Sequence, residues 1–173
     1  GNYSDYRPDE TTEYLSSSLS LVNESELCFT TADATNSYLN RIQNGQCLKQ
    51  KSTKDLINAI PLGNQWLVTE GKQESMNPEH FTTYLLDDQG LRNDLPSPVH
   101  LETYCVLNHT IVGYKNQEII LIQGQNQEIE MIHIPEIKDS SVFRKINDHA
   151  VLILDFKKQM IRMDIEEGSG KAE

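Results

Sequence analysis

Four stretches of this chain share one form. "VNESELCF" (Val22–Phe29), "LGNQWLV" (Leu62–Val68), "LNHTIVGY" (Leu107–Tyr114) and "INDHAVLIL" (Ile146–Leu154) each set an apolar residue before a turn carrying Asn, then continue as a short apolar strand. The marking residues are Asn23, Asn64, Asn108 and Asn147, separated by 41, 44 and 39 residues. Self-similarity at a period near forty belongs to sheet-built blades or to stacked helical repeats. Whatever fold the chain takes must therefore be built from like units. Strand chemistry separates the two classes.

The flanks of each unit are strand-like. Before each Asn lie "YLSSSLSLV", "DLINAIPL", "HLETYCVL" and "SVFRKI". After the apolar strand come a polar turn and another strand: "HFTTYLLDD" in the second unit, "EIILIQ" in the third, "QMIRMDI" in the fourth. Ile161, Met163 and Ile165 alternate with Arg162 and Asp164, the period of a half-buried strand. "EIILIQ" is apolar without a break, as expected of a strand covered on both faces. A fourth strand follows in the second and third units, "GLRNDLPSP" and "EIEMIHIPEI". Both run into an apolar-Pro step, Leu95-Pro96 and Ile134-Pro135, where a residue without an N–H belongs at a strand end. The fourth unit lacks this strand, and the N-terminal "NYSDYRP" is a candidate to supply it.

The pattern resembles β-propeller blade repeats, in architecture rather than in any one family's signature. It implies an all-β fold of about four antiparallel four-stranded blades of about 40 residues each. The reading divides the chain into an N-terminal extension (1–11), which is also the candidate closing strand, a β-repeat domain (12–167) and a flexible tail (168–173). The first unit supports a second reading. Tyr38, Leu39 and Ile42 sit at helical spacing, Asn44-Gly45 has the form of a helix stop, and "STKD" (Ser52–Asp55) has capping-box form. The alternative fold is then α+β, or a β-barrel with a short helical insert around residues 34–60.

Composition bounds the partners. The 173 residues carry a formal charge of −11, spread along the chain. That field repels phosphate backbones and anionic lipid, so nucleic acid is not an expected partner. No apolar stretch approaches the length of a membrane span, so direct membrane insertion is not expected either. The start "GNYSDYRPDE", without an initiator Met, reads as a processed or trimmed product. The compartment is undetermined, with a slight lean to the cytoplasm over export. Sequons stand at Asn2, Asn23 and Asn108 and matter only if the protein is secreted. An Asn-rich chain supplies about this many by chance.

Linear motifs of chemistry are missing. Cys28, Cys47 and Cys105 are odd in number and widely spaced; they read as buried free thiols in strands, with one bridge and one free thiol as the alternative. Lys49 near Cys47 is a candidate to lower its pKa, but no His or family motif accompanies it. His80, His100, His109, His133 and His149 form no metal-ligand spacing. His133 reads as a packed or hydrogen-bonded strand residue, and His109 and His149 as turn residues. Asp87 and Asp88, with Asp94 nearby, read as a turn, because neighbours on a strand point to opposite faces and do not share a substrate. The four marking Asn residues read as turn formers, through tolerance of positive φ or hydrogen bonds to their own backbone. No catalytic residue, metal ligand or cofactor is implied. The expectation is a non-enzymatic binding module for a protein partner, acting through loops of the repeat scaffold. "EGKQESMNPE", "PSPVH" and "PEIKDS" are its expected contact segments. The alternatives are a small-ligand-binding domain or enzyme whose pocket is no linear motif, and a structural fragment of a larger assembly.

Overall fold

The computed structural model describes residues 13–16, 20–72, 77, 80–95, 101, 103–107, 109–115, 118–124, 128–133, 142–154 and 160–165. It is all-β, with no α-helix among these residues. The strands form four antiparallel sheets, each following chain order, and each is a blade of the β-propeller kind. The chain divides into two compact units of two sheets each, residues 1–99 and 100–173.

In unit 1, sheet 1 holds β1 (Tyr14–Leu15), β2 (Ser20–Asn23), β3 (Glu26–Ala32), β4 (Ser37–Gln43) and β5 (Gln46–Lys51). β1 and β2 line the same side of β3, through Tyr14↔Ala32 and Ser20↔Cys28, so they serve as two segments of one edge strand. Sheet 2 holds β6 (Leu56–Leu62), β7 (Gln65–Glu70), β8 (Thr82–Asp87) and β9 (Arg92–Asp94). In unit 2, sheet 3 holds β10 (Thr103–Leu107), β11 (Thr110–Lys115), β12 (Glu118–Gln123) and β13 (Glu128–His133). Sheet 4 holds β14 (Val142–Asn147), β15 (Ala150–Leu154) and β16 (Met160–Asp164). The fourth strand absent from the fourth unit is thus absent among the described residues. The proposed closing segment at 1–11 and the tail at 168–173 lie outside them.

Each unit has its own core between its two sheets. In unit 1, Cys28 and Leu39 of sheet 1 pack with Ala59, Trp66, Val68, Tyr84 and Leu86 of sheet 2. In unit 2, Leu107, Val112, Tyr114, Ile119 and Leu121 of sheet 3 pack with Phe143, Val151 and Ile153 of sheet 4. Each side chain of this size taken out of water contributes roughly 1.5–3 kcal/mol. That burial is what a single blade cannot supply alone. β12 is buried at four successive positions, as its unbroken apolar run requires.

The helical insert at 34–60 does not form; β4, β5 and the start of β6 occupy it. Asn44 and Gly45 have φ of 51° and 76°, the two left-handed residues of a type I′ hairpin turn rather than a helix stop. This turn matches the twist of the strands it joins, and Gln43 pairs with Gln46 across it. The presumed capping box is a local turn as well, in which the Thr53 hydroxyl accepts the Asp55 N–H at 3.2 Å.

The repeat itself is a two-residue hairpin between the first two strands of a unit. In sheet 2 it is Gly63-Asn64, with Gly63 at φ 57°, the glycine that a type II′ turn needs first. In sheet 4 it is Asp148-His149, with Asn147 just before it, whose Oδ1 accepts the His149 N–H at 2.8 Å. In sheet 1, Glu24 and Ser25 lie between paired Asn23 and Glu26. Asn therefore marks the neighbourhood of the turn and not one fixed place in it. Positive φ explains none of Asn23, Asn64 and Asn147; the hydrogen bond explains Asn147. Asn108 lies outside the described residues.

Candidate functional site

Unit 1 carries an open cleft of about 970 Å³. One wall is the end of sheet 1: Tyr14, Ser16, Thr30, Ala32 and the β3–β4 turn Asp33–Ser37. The other is Lys54, Asp55 and the start of β6, with Lys72 after β7. Backbone hydrogen bonds fix both walls. The Ser52 N–H donates to Ser37 O at 2.8 Å, and the Gly71 N–H to Asp55 O at 2.9 Å.

Asp33 organises the rim. Its Oδ1 accepts the N–H groups of Thr35 and Asn36, each at 2.7 Å, and the Thr35 hydroxyl at 3.1 Å. Its Oδ2 accepts the Tyr38 hydroxyl at 2.8 Å. The Thr35 N–H above all, then the Tyr38 hydroxyl, hold this carboxyl well below the usual range. The same bond pushes the Tyr38 phenol up. The Lys49 ammonium lies 4.1 Å from the Tyr38 ring centre and pairs with Glu13, which also accepts the Thr31 hydroxyl at 3.1 Å. The Asp33 carboxylate is thus engaged by the hydrogen bonds of its own turn and by Tyr38, and serves as a turn clamp rather than a general base. Lys54 and Lys72 are exposed and Asp55 is half-buried. No ion pair joins these three to another described residue.

A smaller cavity of about 170 Å³ is bounded by Leu39, Arg41, Leu48, Lys49, Gln50, Trp66 and Asp88. Beside it lies a buried ion pair, Arg41 to Glu26 at 3.1 Å. Arg41 also donates to Gly63 O at 2.5 Å and Gln65 O at 3.3 Å, and its guanidinium lies 5.6 Å from the centre of the Trp66 ring. This cation ties sheet 1 to the first hairpin of sheet 2.

Of the residues singled out in the sequence, Asp87 closes the β8–β9 turn, its Oδ1 accepting the N–H groups of Gln89 and Leu91 at 2.9 and 2.7 Å. Asp94 pairs with Arg92 at 2.6 Å. His109 and His149 are exposed turn residues. His133 is exposed at the end of β13, not packed, because β13 is an edge strand. No group of three or more potential metal ligands occurs among the described residues. The three cysteines are free. Cys28 is buried and Cys105 half-buried, but Cys47 is exposed, because β5 is the outer strand of sheet 1. Burial pushes the Cys28 thiol up to about 12 and the Cys105 thiol to about 11.

Of the expected contact segments, Lys72 in "EGKQESMNPE" reaches the cleft; "PSPVH" and "PEIKDS" lie outside the described residues, as do Asn2 and His100. Asn23 ends β2. Asp33 was not singled out in the sequence, and Lys54 and Asp55 entered only through the capping-box form of Ser52–Asp55. An Asp followed by Thr and Asn two and three residues later is the signal that marks the Asp33 turn. The chain matches no protein-family model, and no curated protein matches it in sequence.

Proposed function

We propose that the chain is a non-enzymatic protein-binding module whose contact surface is the cleft of unit 1. The observation behind this reading is the cleft itself, an open polar groove whose walls are turns held by their own hydrogen bonds. Walls already fixed lose little conformational entropy on binding, so more of the contact energy appears as affinity. Lys54, Lys72 and Asp55 supply charges of both signs for orienting a polypeptide. A charge of −11 argues against nucleic acid as the occupant. The smaller cavity is too small to be the alternative, since its 170 Å³ falls below the ~300 Å³ at which ligand pockets begin.

The test is selection of peptides from a displayed library on the full chain, with binding then measured against the Lys54→Glu/Lys72→Glu variant. Both lysines are exposed, so the fold survives the change. The expected result is a tenfold or greater loss of affinity. Equal binding to both proteins, or no enrichment at all, overturns the proposal.

A further inference from the structure

Sheets 1 to 3 end on a strand beyond their third. Among the described residues, sheet 4 ends on its third, β16, and no described strand pairs with that strand's outer side. The third strands of sheets 2 and 3 are buried at four successive positions, whereas β16 alternates exposed and half-buried, with Met160 71% exposed.

The register shows which backbone groups face outward. Ala150 pairs with Asp164, and the Ile165 N–H donates to His149 O at 2.7 Å. Hydrogen-bonding direction alternates along an antiparallel strand. Ile161, Met163 and Ile165 therefore direct their N–H and C=O groups to β15, while Met160, Arg162 and Asp164 present theirs at the edge. These last three are also the exposed side chains. Arg162 and Asp164 are paired at 2.7 Å.

We infer that β16 is a self-complementary edge that pairs antiparallel with β16 of a second copy of this chain, centred on Met163. In that register Arg162 stands opposite the partner's Asp164, and Asp164 opposite the partner's Arg162. Both positions are outward-facing, so the charge pairs coincide with pairs that exchange backbone hydrogen bonds. On the other face Met163 meets its own copy and Ile161 meets the partner's Ile165, extending the row that packs on the unit 2 core. Recentring on Arg162 or Asp164 sets like charges face to face, and recentring on Ile161 sets Arg162 opposite Met160, so only the Met163 register gives both Arg162 and Asp164 an opposite charge. Charge complementarity thus selects one register. The contact is isologous and closes on itself, and it joins the two copies of sheet 4 into one sheet of six strands.

The experiment is sedimentation equilibrium of the full chain over a concentration series, with three variants. The native chain is expected to reach twice its 19.7 kDa mass. Arg162→Asp alone and Asp164→Arg alone each set like charges against each other and are expected to remain at 19.7 kDa. An equimolar mixture of the two restores opposite charges and the doubled mass, as does the Arg162→Asp/Asp164→Arg exchange in one chain. Both positions are exposed, and an unchanged circular dichroism spectrum verifies the fold. A native chain that stays at its monomer mass throughout overturns the inference. So do single variants that dimerise like the native chain, or a mixture that stays monomeric while the native chain dimerises.

Discussion

Replacing Glu26 with Gln tests whether the buried ion pair holds unit 1 together. The Glu26 and Arg41 side chains are only 8% and 7% exposed. Arg41 stands opposite Cys28 across β3 and β4, which makes Glu26, two residues along the same face, its diagonal neighbour. Glu26→Gln keeps the shape and removes the charge. Arg41 is then an uncompensated buried cation beside Trp66, although its bonds to Gly63 O and Gln65 O survive. Breaking a buried pair in this way costs about 3–5 kcal/mol. That is a large part of the ~5–15 kcal/mol by which domains are stable. At about 4 °C per kcal/mol or more for a unit of this size, Tm falls by at least ~12 °C. Arg41→Met in the native background costs as much or more, because it strands the Glu26 carboxylate and removes the donor from two carbonyls. The Glu26→Leu/Arg41→Met double variant replaces the pair by apolar groups and recovers at least ~2 kcal/mol relative to the sum of its single substitutions. Urea unfolding followed by the fluorescence of Trp66, the only Trp in the chain, measures all of these in unit 1. A loss under ~1 kcal/mol for Glu26→Gln, or strict additivity in the cycle, refutes the reasoning.

Three further outcomes are expected. Gly45→Val costs about 1–2 kcal/mol by thermal unfolding, from left-handed backbone strain alone, because an added Cβ at Gly45 meets nothing within 4 Å. Unit 1 loses stability as pH rises from about 9 toward 12. Burial raises the Cys28 thiol from 9.0 and the Tyr84 phenol from 10.0, each to about 12, so in that window the unfolded chain binds fewer protons than the native one; a flat denaturation midpoint across it refutes this. In the native protein a disulfide reagent labels exposed Cys47 fast and buried Cys28 only at the rate of unfolding, as peptide mapping of labelled chains will show.

The blades were legible because their signals are local. A two-residue turn with paired flanks and alternation along β16 are each settled within about ten residues. Even Pro61, awkward in a strand, fits once β6 is the first strand of its sheet: Leu62 closes the hairpin with Gln65, so the missing N–H of Pro61 would have pointed away from β7. Local ambiguity also explains why the first unit supported a helical alternative. Asn-Gly after an apolar run serves as a helix stop or as a type I′ hairpin turn, and β4 packs Leu39 and Arg41 on its inner face while Tyr38 and Ile42 remain half-buried. The outcome depends on what lies across the sheet, which periodicity within β4 does not contain. The cleft is harder still to read. Asp33 and Asp55 belong to separate turns and come to one groove because Ser52 bonds Ser37 after the chain has run out along β4 and back along β5. Each turn looks like an ordinary surface turn by itself, and Asp33 is one. The edge of β16 sits between these extremes. Its alternation was visible in "QMIRMDI", but only the register with β15 shows that Arg162 and Asp164 carry the outward backbone groups. A charge pattern two residues apart becomes specific for a partner strand only when hydrogen-bond direction is known. Once it is known, one register alone satisfies both.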